Sequence, residues 1–300
     1  MSKKDPRDMI GYGSKNKKIK WPNNARIAVQ IVLNYEEGAE SCILNGDSNS
    51  EVFLSEIIGA QPVKGRHINM ESLYEYGSRA GFWRLHKLFQ EKKIPITIFG
   101  VGMALEKNPE VCKAIIEADY EVASHGWRWI DYQNIKKSEE KKHMNLAIKS
   151  HTKIFGSRPD GWYTGRCSPN TRDLVMEDGG FLYDSDSYND DLPYWETRNK
   201  KKQLIIPYTL DKNDMRFATN QGFNTGSHFF SYLKDSFDVL YEEGKTNPKM
   251  MSVGLHCRLI GKPGRIKSLK KFLDYILKHE DVWICKRIDI AKHWIKNYSE

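Results

Sequence analysis

Ala25-Arg26-Ile27-Ala28-Val29-Gln30-Ile31-Val32-Leu33, followed by Asn34-Tyr35-Glu36-Glu37-Gly38, is the stretch on which the fold turns. Seven of its first nine residues are apolar, and β-branched side chains dominate them. Such a run is too short for a buried helix and reads as a strand covered on both faces. Two carboxylates stand immediately past its end. Working outward, Arg79–Lys92 carries Leu85, Leu88 and Phe89 at helical spacing, and Ile94–Phe99 is a second apolar strand. The pattern then alternates. Helices are expected at Pro109–Ala118, Ser138–Phe155, Thr171–Glu177, Phe229–Tyr241 and Ile266–Lys278. Strands are expected at Tyr120–Ala123, Gly161–Tyr163, Phe181–Tyr183, Leu204–Ile206, Met251–Leu255 and Val282–Ile284, and Ile288–Ile295 closes the chain. Gly38 to Ser78 reads as a long irregular insertion. Strand–helix alternation over this length means a parallel α/β fold, either a barrel or an open sheet.

Composition sets the outer limits. The 300 residues are 39% hydrophobic and 29% charged, with 22 Gly and 11 Pro, which excludes collagen-like, low-complexity and wholly disordered chains. Aromatic residues (12 Phe, 15 Tyr, 8 Trp) supply a sizeable core. The net charge of +8 comes from lysines scattered in short runs, Lys15–Lys20, Lys136–Lys142 and Lys200–Lys202. Without one basic face interleaved with aromatics, this is a solvated surface rather than a nucleic-acid footprint. Five widely spaced cysteines without a CxxC argue against a disulfide framework or zinc ribbon and fit a reducing compartment. The longest apolar run, Ile27 to Leu33, is too short to span a bilayer. A cytoplasmic protein with no membrane partner is expected, built as a polar arm over residues 1–24 and one catalytic domain over 25–300.

Glycine loops that cradle phosphates are missing: neither GxGxxG nor GxxxxGK[ST] occurs, and Gly100-Val101-Gly102 reads as a strand exit. The chemically able residues fall instead at the C-terminal ends of strands. Glu36 and Glu37 follow the first, His125 ends Tyr120–Ser124, Arg166 lies beyond Gly161–Tyr163, Asp184 and Asp186 follow Phe181–Tyr183, and His256 follows Met251–Leu255. In an α/β barrel those ends converge on one face, where active sites are built. Paired carboxylates split their ionisation and favour a general base, and an imidazole donates a proton near neutral pH. His125 has Trp129 one helical turn on, so no HxxxH pair exists there. His143 and His151 read as exposed on a Lys/Glu-rich helix, and no set of three zinc ligands stands out.

Taken in order, these residues resemble the polysaccharide deacetylase (NodB-homology) superfamily. Its Asp-Asp-Gly motif corresponds to Glu36-Glu37-Gly38. Its histidine pair corresponds to His125-Gly126-Trp127-Arg128-Trp129, with tryptophan at the second position. Its arginine-before-proline motif corresponds to Arg166-Cys167-Ser168-Pro169. Its Asp-containing strand end corresponds to Tyr183-Asp184-Ser185-Asp186, and its strand ending in histidine to Ser252–His256. Within the superfamily the chain is most similar to the metal-independent bacterial allantoinases, through Asn34–Glu40, Glu71–Gly81, Ser124–Tyr132, Gly161–Arg172, Asn213–Phe217 and Gly254–Arg265.

The resemblance implies a distorted (β/α) barrel and hydrolytic opening of the hydantoin ring of allantoin to allantoate, a step in purine (urate) catabolism. It implies no cofactor, a small-molecule substrate and a homo-oligomer, a tetramer. The family's zinc site takes Asp, His and His. Here the slots hold Glu37, His125 and Trp129, so the resemblance implies a dismantled metal site. The catalytic set expected is Glu36 as base, His256 as acid and Arg166 to orient the base or polarise the carbonyl. Glu37, His125, Trp129, Asp184 and Asp186 would contact substrate or support these groups. A related cyclic imide or ureide hydrolase, a carbohydrate N-deacetylase and a non-catalytic ligand-binding barrel are the alternatives.

Overall fold

The structure is a computed structural model that describes residues 7–14 and 17–299. Residues 1–6 and part of the Lys15–Lys20 run lie outside the described residues. The first strand, β1 (Ile27–Tyr35), is buried along its whole length. Its partner strands run β2 (Ile96–Gly100), β3 (Glu121–Ser124), β4 (Gly161–Trp162), β5 (Tyr183–Asp184), β6 (Tyr194–Arg198), β7 (Lys201–Ile205), β8 (Lys249–His256) and β9 (Val282–Ile284). They order as β6-β7-β5-β4-β3-β2-β1-β8, all parallel except the β6–β7 hairpin. β8 pairs with β1 from Ile27 to Asn34. The opposite edge of β1 is shared, with β9 on Ile27–Val29 and β2 on Ile31–Tyr35.

The sheet curls into a distorted barrel, and irregular backbone rather than a strand closes it. Met250 N–H donates to Asp191 O (3.1 Å) and Gly254 N–H to Lys212 O (2.9 Å) on the free edge of β8. A Cβ at Gly254 would lie 2.3 Å from Asn213 Nδ2 and 2.6 Å from the Tyr208 hydroxyl, so the close approach requires glycine there.

Because side chains alternate across a strand, parity decides what faces the barrel interior. Ile27, Val29, Ile31, Leu33 and Tyr35 pack outward into the core formed with the helices. Ala28 and Val32 face inward with Phe99, Ala123, Tyr163, Tyr183 and Tyr208. Midway along this interior, Arg287 donates to Gln30 Oε1 (2.7 Å), Ser252 Oγ (2.9 Å) and Ser185 Oγ (2.9 Å from Nη2). A fully buried guanidinium is tolerable only when its donors are met in this way. Glu36, His125 and His256 continue the inward parity of β1, β3 and β8, so three strands of one sheet deliver them to the same rim.

Helices cover the outside: α1 (Ile68–Tyr76), α2 (Phe82–Lys92), α3 (Gly102–Glu106), α4 (Pro109–Glu117), α5 (Lys137–Phe155), α6 (Thr171–Asp178), α7 (Gly226–Glu243), α8 (Pro263–Ile276) and α9 (Arg287–Asn297). Several differ from the sequence reading. The Gly38–Ser78 insertion is not wholly irregular: His67 Nδ1 accepts from Met70 N–H and opens α1, which runs through a π-helical turn (Gly77–Gly81) into α2. Gly100-Val101-Gly102 is a strand exit as read, since β2 ends at Gly100, but Gly102 also opens α3, a helix the reading did not include. β6 carries charged residues on an exposed edge and has no apolar run to announce it. His151 is buried, not exposed, with its ring nitrogens against Ser157 O (2.8 Å) and Val122 O (3.0 Å), and His143 is half-buried beside the Tyr132 hydroxyl (2.9 Å). The end of the 1–24 arm is not free either, since Ile19 and Trp21 are buried and Trp21 packs on Trp283 and Trp294. Among the described residues all five cysteines are free thiols, and no helix is long and apolar enough to cross a membrane.

The π-turn is where the insertion locks onto the site. A Cβ at Gly77 would stand 2.2 Å from Glu37 Oε1, and one at Gly81 2.0 Å from the Cys257 carbonyl oxygen. Gly81→Ala is therefore expected to cost ~1–3 kcal/mol, as overpacking against backbone does. Gly264→Ala, which meets open space in the first turn of α8, should leave stability unchanged or slightly raised. Urea unfolding midpoints of the two variants check this; a Gly81→Ala midpoint equal to wild type would show that the bend does not press on the exit of β8.

Candidate active site

Glu36, Glu37, His125 and His256 are all nearly inaccessible to solvent, at 1%, 4%, 2% and 4% exposure. Glu36 Oε1 lies 3.3 Å from His125 Nε2 and 3.4 Å from His256 Nε2. Its other oxygen, Oε2, lies 2.8 Å from Arg258 Nη1, and the same nitrogen is 3.5 Å from Glu37 Oε1. Glu37 Oε2 accepts the Glu36 backbone N–H (3.0 Å), which folds the second carboxylate back beside the first.

His256 is oriented from behind. Asp214, on the 3₁₀ turn Asp214–Ala218, accepts from His256 Nδ1 at 2.6 Å through Oδ1. Its Oδ2 accepts the backbone N–H groups of His256 (2.8 Å) and Ile260 (2.9 Å). With Nδ1 engaged, Nε2 is the atom presented to Glu36. His125 is held by its backbone N–H on Gly100 O (2.9 Å) and by the rings of Phe99 and Tyr163. Its Nδ1 is buried and has no hydrogen-bond partner.

Arg258 is anchored by donation from Nε to Leu54 O (3.0 Å), and its guanidinium lies over Tyr74 (4.3 Å to the ring centre) and Trp129 (4.9 Å). Trp129 in turn stacks on Phe53 and touches Tyr74. The Glu51–Ser55 stretch of the insertion thus forms a roof over the carboxylates, tied down where Tyr74 donates to Phe53 O (3.0 Å).

Ionisation follows from this arrangement. Burial alone would raise Glu36, but Arg258, His256 and the hydrogen bonds of the two imidazoles hold it well below the usual carboxylate range. Burial raises Glu37, and the Glu36 charge adds to this against the pull of Arg258. Two adjacent carboxylates are thereby driven apart. Burial pushes His256 down, yet the Glu36 and Asp214 carboxylates overcome it and bring its pKa up to about 9, so it is an imidazolium at neutral pH.

The structure brings together Glu36, Glu37, His125, Trp129 and His256, as the sequence pattern anticipates. Arg166 is elsewhere: it donates to Glu51 Oε2 (3.0 Å) and Trp129 O (2.9 Å), and its guanidinium packs on the Trp129 ring. The arginine on Glu36 is Arg258. Likewise Asp184 pairs with Arg172 (3.0 Å), and Asp186 accepts the backbone N–H groups of Thr164 and Gly165. Burial, with the Asp186 charge, brings Asp184 up to about 7 against the pull of Arg172. The aspartate on His256 is Asp214. Both overlooked residues sit in peptides singled out for the resemblance, Gly254–Arg265 and Asn213–Phe217. Arg258 lies two residues past the end of β8, and Asp214 reaches the site from a 3₁₀ turn outside the strand exits.

The zinc site of the superfamily does not fit these residues. Glu37 faces a guanidinium, the second histidine slot holds the Trp129 ring, and Arg258 lies against both. Among the described residues no three His, Cys, Asp or Glu side chains are placed to hold a metal ion.

Comparison with known proteins agrees with the geometry. The polysaccharide deacetylase family profile matches residues 67–177. A Schizosaccharomyces pombe protein named "Putative polysaccharide deacetylase" is 44% identical over 311 aligned positions, covering 97% of each chain. Two crystal structures are each 58% identical and cover 98% of this chain and 99% of their own. They are a probable polysaccharide deacetylase from Pseudomonas aeruginosa PAO1 (TM-score 0.96) and Puue allantoinase (TM-score 0.97).

The raised pKa of His256 makes the cluster's stability depend on pH. The folded value, about 9, exceeds the ordinary value of about 6.5. The imidazolium's stabilising contribution is therefore complete below ~6.5 and is lost as pH rises through ~9. Following the His256 ring protons by NMR should give a midpoint well above 6.5 that falls in Asp214→Asn. A wild-type midpoint at or below 6.5 would contradict the ion-paired arrangement.

Proposed function

Since this chain belongs to the polysaccharide deacetylase family, a family of hydrolases, we propose that it is an allantoinase, opening the cyclic amide of allantoin to allantoate in purine breakdown. The observation that carries the reading is the Glu36–His256–Asp214 constellation at the rim of a barrel that matches an allantoinase at 58% identity over 98% of the chain.

Hydrolysis of a cyclic amide requires a base for water, a donor for the developing oxyanion and an acid for the departing nitrogen. Glu36 is the base: the water gives its proton to the carboxylate as its oxygen bonds to the ring carbonyl carbon, and the carbonyl electron pair moves onto oxygen. At rest Glu36 is a weak base because cations surround it. When His256 gives its Nε2 proton to the ring nitrogen and the C–N bond breaks, one of those cations disappears and the carboxylate's hold on its proton strengthens. The two transfers therefore assist one another. Asp214 keeps Nε2 pointed inward throughout. His125, with Nδ1 unpaired, and Glu37 would meet the ureide edges of the substrate, and Trp129 walls the space. Arg166 supports Trp129 from the roof, and Asp184 and Asp186 fix the β4 exit. Neither set acts on the reacting atoms.

The purified protein is expected to convert allantoin to allantoate one for one, and Glu36→Gln and His256→Ala should each lower kcat by about 10²–10⁴-fold. Parallel assays with other cyclic ureides and imides and with N-acetylated oligosaccharides locate the activity if it is not on allantoin. Acetate release from the oligosaccharides with no turnover of allantoin would replace this reading by the deacetylase one.

A further inference from the structure

The constellation leaves one requirement unmet, a cation or donor for the carbonyl oxygen, and one side chain unspent. Arg258 Nη1 bridges Glu36 Oε2 and Glu37 Oε1, Nε is used on Leu54 O, and Nη2 is buried with no hydrogen-bond partner. The guanidinium is 2% exposed and fixed over Tyr74 and Trp129, the second of which stands in a ligand slot of the superfamily's zinc site.

We propose that Arg258 is the resident cation of this site. It occupies the place between the two carboxylates and the Trp129 ring that a metal ion would need, and it offers Nη2–H to the carbonyl oxygen as it becomes an oxyanion. Three features suit it to both tasks. A guanidinium carries its charge in a plane, so it can lie flat on an indole where a hydrated ion cannot. One nitrogen, Nη1, pairs with Glu36 Oε2 and donates to Glu37 Oε1, and the other is left free. Its charge is covalently held, so it costs no ligand set and the three-ligand geometry is released to tryptophan. In the reaction Arg258 neither gains nor loses a proton: the oxyanion forms against Nη2–H and collapses from it as the C–N bond breaks.

The second task rests on the hydrolase reading above; the first does not, and two measurements keep them apart. Zinc binding is read by equilibrium dialysis on Trp129→His and on Trp129→His with Arg258→Met. The single variant restores the histidine pair but keeps the guanidinium, so it should bind no more zinc than wild type, whereas the double variant should gain about one equivalent. Stoichiometric zinc in Trp129→His alone would show that Arg258 does not hold the cation's place. In kinetics, Arg258→Lys keeps a charge but loses the fork. Its kcat on the substrate turned over by wild type should fall by about 10²–10³-fold, as loss of one oxyanion donor does, with recovery of activity in Arg258→Ala on adding methylguanidinium. Wild-type kcat in Arg258→Lys would overturn the oxyanion role. If the double variant does not fold, as circular dichroism would reveal, zinc binding by Trp129→His and the kinetics of Arg258→Lys still decide.

Discussion

One guanidinium facing two adjacent buried carboxylates is the constraint around which the rest of the site is arranged. Glu36 and Glu37 cannot both remain charged in a dry space without compensation, and desolvation of even one is costly. Arg258 supplies one positive charge, the His256 imidazolium supplies a second, and Asp214 then takes back part of the surplus. The residues are therefore not independent. Removing Arg258 would leave Glu36 facing the imidazolium alone and Glu37 without a facing cation, while removing Asp214 would weaken the hold of His256 on its proton.

The insertion between β1 and α2 becomes intelligible in this light. Arg258 lies only two residues past the end of β8, but it does not reach the carboxylates from the strand alone. Leu54 O holds its Nε, Tyr74 of α1 lies beneath its plane, and Trp129 completes the enclosure. Each contact comes from a different segment, and two of the three lie in the insertion. Arg166, tied to Glu51 and to the Trp129 carbonyl, joins that same roof to the loop after β4. Its contacts are thus with that roof and not with Glu36, although it lies a short distance in sequence from a strand exit.

What the sequence discloses and what it conceals follow the same division. β1 and β8 are legible because apolar residues dominate them, and parity carries Glu36, His125 and His256 inward once β1, β3 and β8 are known to be strands of one sheet. α1 is concealed because its exposed apolar residues and glycine-rich exit do not make a periodic stripe. β6 is concealed because an edge strand needs no buried face. Arg258 and Asp214 are illegible for a different reason: their partners, Glu36 and His256, are contributed by other segments, and only closure of the barrel by the irregular 208–214 backbone brings Asp214 beneath the imidazole. A motif read locally gives the arginine's task to Arg166 and a supporting one to Asp184 and Asp186, and these residues pair instead with Glu51, with Arg172 and with the Thr164 and Gly165 backbone.

Two buried guanidinium clusters among the described residues, those of Arg287 and Arg258, contrast in what surrounds them. Arg287 is surrounded by neutral acceptors, Gln30, Ser185 and Ser252 side chains and the carbonyls of Ile206 and Pro207, which fix it in place without presenting a free donor or a titrating partner. It ties β1, β8 and the stretches after β5 and β7 together. Arg258, nearer the rim, meets carboxylates whose ionisation is mutually dependent and retains an unused N–H. Full satisfaction makes a polar group structural; an unspent donor beside a movable proton leaves it able to respond to a changing charge. The interior therefore passes from a cemented layer to a reactive one over the last residues of β1 and β8, and that transition is set by which strand exits carry acids.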